Sequence, residues 1–337
     1  MSEPLNIAKT DDQPLSISNP ADVTALMVDS ESNSMSIYDS RGEALFTYAH
    51  DPRIDHAIAA QKLTESGVPM VPFTSYTYDG QTKKNDPCYI SAAAVNYIDG
   101  GTPNDDGTRN ITVCVKGYGE MYARNRPQEE VDALLEAVRR VNPLLEYDPE
   151  KVHTSEYYPT PLYIVPTAVT QIKDRFSSFE LIFGNKGVLE HVELAGVAHE
   201  SVEDIARKIL KEDQAREAGE RQYHEPDELY AEAQRRLDQQ MQIKADFAAA
   251  IARHGNMIAV CDTHGINYTR AQDISHTDFH DEKEGREDRY RLTVHFHRAA
   301  KPNYLYDITI AFPTAEKRHE ADRKINAAIA AAKAPKP

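Results

Sequence analysis

Of the 13 histidines in the sequence, His254, His264, His276, His280, His295, His297 and His319 fall towards its C-terminal end. Cys261 and His264 have C-x2-H spacing and His276 and His280 have H-x3-H spacing, with eleven residues between the pairs. Two close pairs of nitrogen and sulfur donors on separate turns are how short segments hold a tetrahedral zinc ion. Cys261, His264, His276 and His280 are therefore the candidate metal ligands, with zinc as the candidate cofactor. His295 and His297 alternate in a strand-like stretch, so both project from one strand face. A carboxylate among Asp278, Asp281 and Glu282 could act as general base towards a metal-bound water. One functional class to test is thus a metal-dependent hydrolase or a zinc-stabilised module. The charge-dense run Ser275 to Arg289, with Gly285, has instead the composition of a solvent-exposed loop.

A second candidate is Cys88. Asp86-Pro87-Cys88 ahead of Ile90, Ala92, Ala93, Ala94 and Val95 reads as a helix start, where the helix dipole would lower a thiol pKa. His191 is the base such a nucleophile would use; the alternative is a small side chain packed in the core. Gly117-Tyr118-Gly119 reads as a hairpin turn rather than a phosphate loop, because Glu120 to Tyr122 resumes a strand pattern. The acidic loop Asp99 to Gly107 lacks the spacing of a calcium loop.

The elements that must position these groups recur in four passes. Val23 to Val28, Met35 to Tyr38 and Ala44 to Tyr48 are strand-like and precede a helix that ends near Gly67. Val68 to Tyr78 and Ile111 to Tyr122 precede a helix with Val131, Leu134, Leu135 and Val138 on one face. Leu162 to Ile172, Phe179 to Phe183 and Val188 to Val197 precede a helix capped by Ser201. Met257 to Cys261, Tyr290 to His297 and Tyr304 to Phe312 precede a helix that starts at Thr314. The expectation is an α+β fold of antiparallel sheet units, each covered by a helix, in strand-strand-helix repeats.

Residues 1–22 are polar and read as a flexible tail, 23–200 as an α+β body, 201–254 as a helical hairpin arm and 255–333 as a C-terminal α+β unit. In the arm, Leu229, Ala233, Leu237 and Met241 recur every four residues on a helix from Pro226 to about Arg253. At 1.5 Å per residue such a helix spans roughly 42 Å, which outreaches a typical domain. Its apolar stripe (Leu229, Leu237, Met241) and the acids Glu217, Glu220, Asp227 and Glu228 are the candidate partner-binding residues, for another protein or a second copy.

Composition narrows the classes further. The 337 residues carry 38 Lys+Arg against 54 Asp+Glu, a net charge of −16, which disfavours direct nucleic-acid binding and suits competition for a basic surface on another protein. Three cysteines cannot make a disulfide framework, so a reducing cytoplasm is the expected location. No run of residues reaches the length of apolar sequence that a membrane-spanning helix needs. No motif establishes catalysis, so the leading expectation is an acidic protein-binding or inhibitory protein.

Overall fold

A computed structural model describes residues 4–9, 14–29, 34–48, 56–78, 83–101, 103–147, 161–175, 178–183, 190–195, 201–215, 225–261, 266–284, 287–297 and 307–334. One plan is repeated four times along the chain: a two-stranded hairpin, a 3-10 corner, a three-stranded meander, then helix. The first unit is β1 (Leu5–Lys9), β2 (Pro14–Ile17), corner η1 (Pro20–Asp22), β3 (Val23–Asp29), β4 (Ser34–Asp39), β5 (Ala44–Tyr48) and α1 (His56–Glu65). The second is β6 (Met70–Tyr78), β7 (Lys83–Ser91), η2 (Ala92–Ala94), β8 (Val95–Asp99), β9 (Arg109–Val115), β10 (Gly119–Arg126) and α2 (Gln128–Val141).

The third runs β11 (Leu145–Tyr147), β12 (Leu162–Ile164), η3 (Pro166–Ala168), β13 (Val169–Arg175), β14 (Ser178–Phe183) and β15 (Glu190–Ala195). It ends in two helices, α3 (Val202–Ala215) and α4 (Pro226–His254). The fourth comprises β16 (Met257–Cys261), β17 (Ile266–Arg270), η4 (Ala271–Asp273), β18 (Ile274–Glu284), β19 (Glu287–Phe296), β20 (Ile308–Phe312) and α5 (Ala315–Lys333).

Each hairpin is donated backwards. The meander of one unit and the hairpin of the next make one five-stranded antiparallel sheet, in the orders β5-β4-β3-β7-β6, β10-β9-β8-β12-β11 and β15-β14-β13-β17-β16. The α+β class and the helix-covered sheets of the sequence reading hold, but the repeat carries five strands where strand-strand-helix was expected. Because β17 pairs with β13, the third sheet joins segments on either side of the helical hairpin.

The corners explain why the strands change direction where they do. Pro20-Ala21-Asp22-Val23-Thr24, Ala92-Ala93-Ala94-Val95-Asn96, Pro166-Thr167-Ala168-Val169-Thr170 and Ala271-Gln272-Asp273-Ile274-Ser275 occupy equivalent places. A Val or Ile leaves the corner extended and the next residue is a β-bulge, seen as register shifts at Val23/Ala25, Val95/Tyr97, Val169/Gln171 and Ile274/His276. In the first and third units the bulge residue is a threonine whose side chain supplies a hydrogen bond inside the sheet. Thr24 Oγ1 donates to the Asp39 carbonyl at 3.1 Å and Thr170 Oγ1 to the Ile182 carbonyl at 2.9 Å.

Helices follow the expected amphipathic logic. Val131, Leu134, Leu135 and Val138 of α2 are buried against Ile98, Ile111, Val113, Val115 and Met121. Burial of each such side chain contributes roughly 1.5–3 kcal/mol. The helix is oriented with Glu129 and Glu130 in its first turn and Arg139 and Arg140 in its last, matching its dipole. Ser201 caps α3 as expected, in a reciprocal box: Ser201 Oγ accepts from Asp204 N–H at 3.2 Å and Asp204 Oδ2 accepts from Ser201 N–H at 3.0 Å. Thr314 likewise caps α5, accepting from Lys317 N–H at 3.3 Å.

Three expectations need correction or relocation. Within residues 1–22, read as a flexible tail, β1 and β2 form a hairpin, and Ile17 lies buried with Leu26, Ala59 and Leu63 beneath α1. Leu5, Leu15 and Ile17 alternate with polar residues, which is a strand pattern too short to stand out in a polar segment. Cys88 lies within a strand, not at a helix start, because Tyr89 and Ile90 continue β7 and the alanines after Ser91 form corner η2. Residues 216–224 of the helical arm lie outside the described residues, as do residues 49–55 ahead of α1.

Candidate metal centre and open strand edge

The two faces of each sheet have different neighbours. One carries the unit's own helix. The other, at the second and fourth residues after the first meander strand begins to pair, packs on the following unit: Met27, Cys88 and Ile90 join the core of the second unit, and Tyr97, Cys114, Leu162 and Ile164 join that of the third. In the last unit the residues on the corresponding face are polar. His276, Asp278 and His280 alternate along β18, opposite His295, Thr293 and Arg291 of β19. The opposite face is apolar: Leu292, Val294, Phe296, Ile308 and Ile310 pack on Ile325 and Ile329 of α5.

Register brings three of these side chains together. His276 and His295 are direct cross-strand partners, and their rings stack with centroids 4.5 Å apart. Asp278 Oδ2 is 3.2 Å from His295 Nε2 and 3.6 Å from His276 Nε2. One ligand atom from each of His276, Asp278 and His295 lies within 4.8 Å of the others. Each histidine is held through its second nitrogen: His295 Nδ1 pairs with Asp307 Oδ2 at 2.8 Å, and His276 Nδ1 with Ser275 Oγ at 2.7 Å. A carboxylate on the far nitrogen is the usual support for a metal-bound imidazole, since it fixes tautomer and ring plane. Two imidazoles and a carboxylate suit zinc or another first-row divalent ion and leave coordination positions for water.

The sequence-derived metal set is only partly assembled here. His276 is a member of the cluster. His280 is exposed one strand repeat further along, beyond the triad. Cys261 ends β16, but its side chain, with His264, lies outside the described residues. Asp278 and His295 complete the set instead; the sequence offered Asp278 as a nearby carboxylate and His295 through its alternation with His297, without joining either to His276.

Other candidates resolve differently. The Cys88 thiol donates to the Phe73 carbonyl at 3.2 Å, and burial pushes its pKa up to about 12, the reverse of an activated nucleophile. The His191 side chain lies outside the described residues. Gly117-Tyr118-Gly119 is the turn between β9 and β10, as expected. In the Asp99 to Gly107 loop Asp99 and Asp106 serve their own backbone. Asp106 Oδ1 accepts from the Thr108 hydroxyl and its N–H, at 2.6 and 2.9 Å, and these bonds lower its pKa.

In the arm, α3 folds back on α4 and much of the expected docking stripe is spent inside the pair. Leu229 is buried with Ala233 against Ile205 and Ile209, and Leu237 is half-buried beside them. Met241 stays exposed, as do Asp227 and Glu228 in the first turn of α4. Glu217 and Glu220 lie outside the described residues. Further along α4, Ala248, Ile251 and Ala252 pack on the third sheet. An ion pair between Arg236 and Glu212, at 3.0 Å, ties the two helices together.

The second feature is an edge. The first meander strand of each of the first three units is hydrogen-bonded on both sides, to its own meander and to the hairpin that follows: β3 to β4 and β7, β8 to β9 and β12, β13 to β14 and β17. Their counterpart β18 pairs on one side only, and β18-β19-β20 is a three-stranded sheet among the described residues. Conversely, β1 and β2 form a two-stranded sheet that joins no meander among the described residues. An open edge of this kind is a template for strand addition. Among the described residues no helix is long and apolar enough to cross a membrane. No family model matches the chain, and no curated protein matches it in sequence.

Proposed function

We propose that the protein works by binding protein, and that it does so by accepting a β-hairpin along the free edge of β18. The observation that carries this reading is that the three strands equivalent to β18 each take a hairpin at the same edge, whereas β18 takes none among the described residues. Strand addition gains affinity from main-chain hydrogen bonds and specificity from alternating side chains, so the edge needs no deep pocket. The exposed Met241, Asp227 and Glu228 of the helical arm lie in a separate region and would serve a second contact with a partner. The buried thiols of Cys88 and Cys114 accord with a reducing, cytoplasmic setting.

The test uses the chain's own accepted hairpin as probe. A labelled synthetic peptide of residues 70–91, spanning β6 and β7, is titrated into the full chain and followed by fluorescence anisotropy. Saturable binding that is lost in Thr277→Pro, a change that removes a backbone donor from β18, supports strand addition. Absence of saturable binding to the folded chain contradicts it.

A second reading is favoured by the His276, Asp278 and His295 cluster: a divalent-ion site on the terminal sheet face, stabilising the unit or activating a water. The Asp307 support of His295 is the observation behind it. Titration of zinc or cobalt into the chelator-treated chain, with His295→Ala as control, tests it directly.

A further inference from the structure

Building on the strand-addition reading, we infer that the hairpin β18 accepts is β1–β2 of a second copy of this chain, giving a head-to-tail assembly. The strand register is the same at every internal junction. Ala25, Tyr97 and Gln171 are the first residues past the bulge in their strands, and they oppose Ile90, Ile164 and Thr269, each the second residue before the next corner. The next positions repeat the rule, with Leu26 opposite Tyr89, Ile98 opposite Tyr163 and Ile172 opposite Tyr268.

Applied to the two unpaired ends, the rule gives unambiguous partners. The first residue past the fourth bulge is His276, and the second residue before η1 is Ser18. Thus His276 opposes Ser18, Thr277 opposes Ile17 and Asp278 opposes Ser16 of the next copy. Thr277 with Ile17 makes a cross-strand pair of β-branched residues, suited to a pleated surface. An acid in the place of Asp278 is already accommodated at the second junction, where Asp99 opposes Leu162. The dense charge of β18, from Asp281 onward, lies beyond the three residues that the register uses.

The donor is preformed. Ile17 is anchored beneath α1 and β1 also packs on that helix, so docking does not have to order the hairpin first. Among the described residues of one chain β1–β2 does not pair with β18, so the inferred junction is between copies. A junction between different surfaces is heterologous, and it propagates into a filament or closes into a ring according to its rotation. Each copy carries a net charge of −16, so the copies repel, and added salt should tighten self-association. A basic partner protein would show the opposite dependence.

The test uses two full-length chains on a Cys261→Ala background, one with Ser18→Cys and the other with His276→Cys. Cross-strand neighbours lie at the separation that a disulfide spans. The mixture should give a disulfide-linked product of twice the chain mass under mild oxidation, and neither chain alone should. Ser16→Cys with Asp278→Cys is the independent second pair, and cooperative melting of every variant confirms folding. A product from His276→Cys alone would mean edge-to-edge pairing of two β18 strands and overturns the head-to-tail arrangement. No product from either pair, with the residue 70–91 peptide still binding, overturns the second copy as occupant and leaves strand addition standing. No product and no peptide binding removes both.

Discussion

Replacing Gly117 by alanine should be markedly more costly than the same change at Gly107, and the difference measures how the first two units are locked together. Both glycines have φ of +80°, so the intrinsic strain of a Cβ in the left-handed region is the same. That strain is worth roughly 1–2 kcal/mol. Around Gly107 a Cβ would meet nothing within 4 Å. At Gly117 it would lie 2.7 Å from the Ser40 carbonyl carbon and oxygen and 2.8 Å from the Asp39 carbonyl oxygen. Those atoms are backbone of the β4–β5 turn, so a whole turn must move, which adds about 1–3 kcal/mol by analogy with overpacked interiors. Urea denaturation of the two variants, with Gly107→Ala as internal reference, reads the excess directly. Equal losses in the two variants would refute turn-on-turn packing between the units.

Other consequences are equally open to measurement. Asp39 is buried, which raises its pKa, but the Arg41 side chain and the N–H groups of Glu43 and Arg41 outweigh this and hold its carboxyl below the ordinary value of 3.8. A depressed folded pKa stabilises above the unfolded value and is lost as pH falls through the folded one. Asp39→Asn should therefore cost about 1–2 kcal/mol at neutral pH and nothing once the carboxyl is protonated in both states, as read by melting at a series of pH values. Cys88, with its pKa near 12, should resist a thiol reagent until the chain is unfolded; rapid labelling of the native protein would contradict its burial. If a divalent ion binds at the terminal face, His276→Ala and His295→Ala should abolish binding and Asp307→Asn should weaken it about 10–100-fold, while Cys261→Ala leaves it unchanged. Loss on changing Cys261 would restore the set read from spacing.

Legibility in the sequence followed the length of each element's signal. The helix around Val131, Leu134, Leu135 and Val138 and the caps at Ser201 and Thr314 were readable because a 3.6-residue period and a cap hydroxyl are local facts. The hairpins were readable only in part: Val68 to Tyr78 and Met257 to Cys261 stood out as strands. Strands such as Leu145–Tyr147 are too short to show a period, and β7 runs into an alanine corner that resembles a helix start. The readable signal would have been the corner itself, where Val or Ile followed by Thr, Asn or Ser recurs at Val23-Thr24, Val95-Asn96, Val169-Thr170 and Ile274-Ser275. The candidate metal set escaped for a related reason. Short spacings find ligands on one turn, whereas His276 and His295 meet across two strands, through a register set by the bulge before His276. The arm was visible as a long amphipathic helix, but that α3 would cover Leu229 depends on a tertiary contact no periodicity encodes.

On the head-to-tail reading, the edges that β1–β2 and β18 leave open among the described residues are complementary. Hydrogen exchange of the full chain, followed by mass spectrometry at rising protein concentration and high salt, tests it most directly. Amides around residues 16–18 and 276–278 should gain protection together, while those of the three internal junctions are already protected and should not change. Exchange in both segments that is independent of concentration would contradict it.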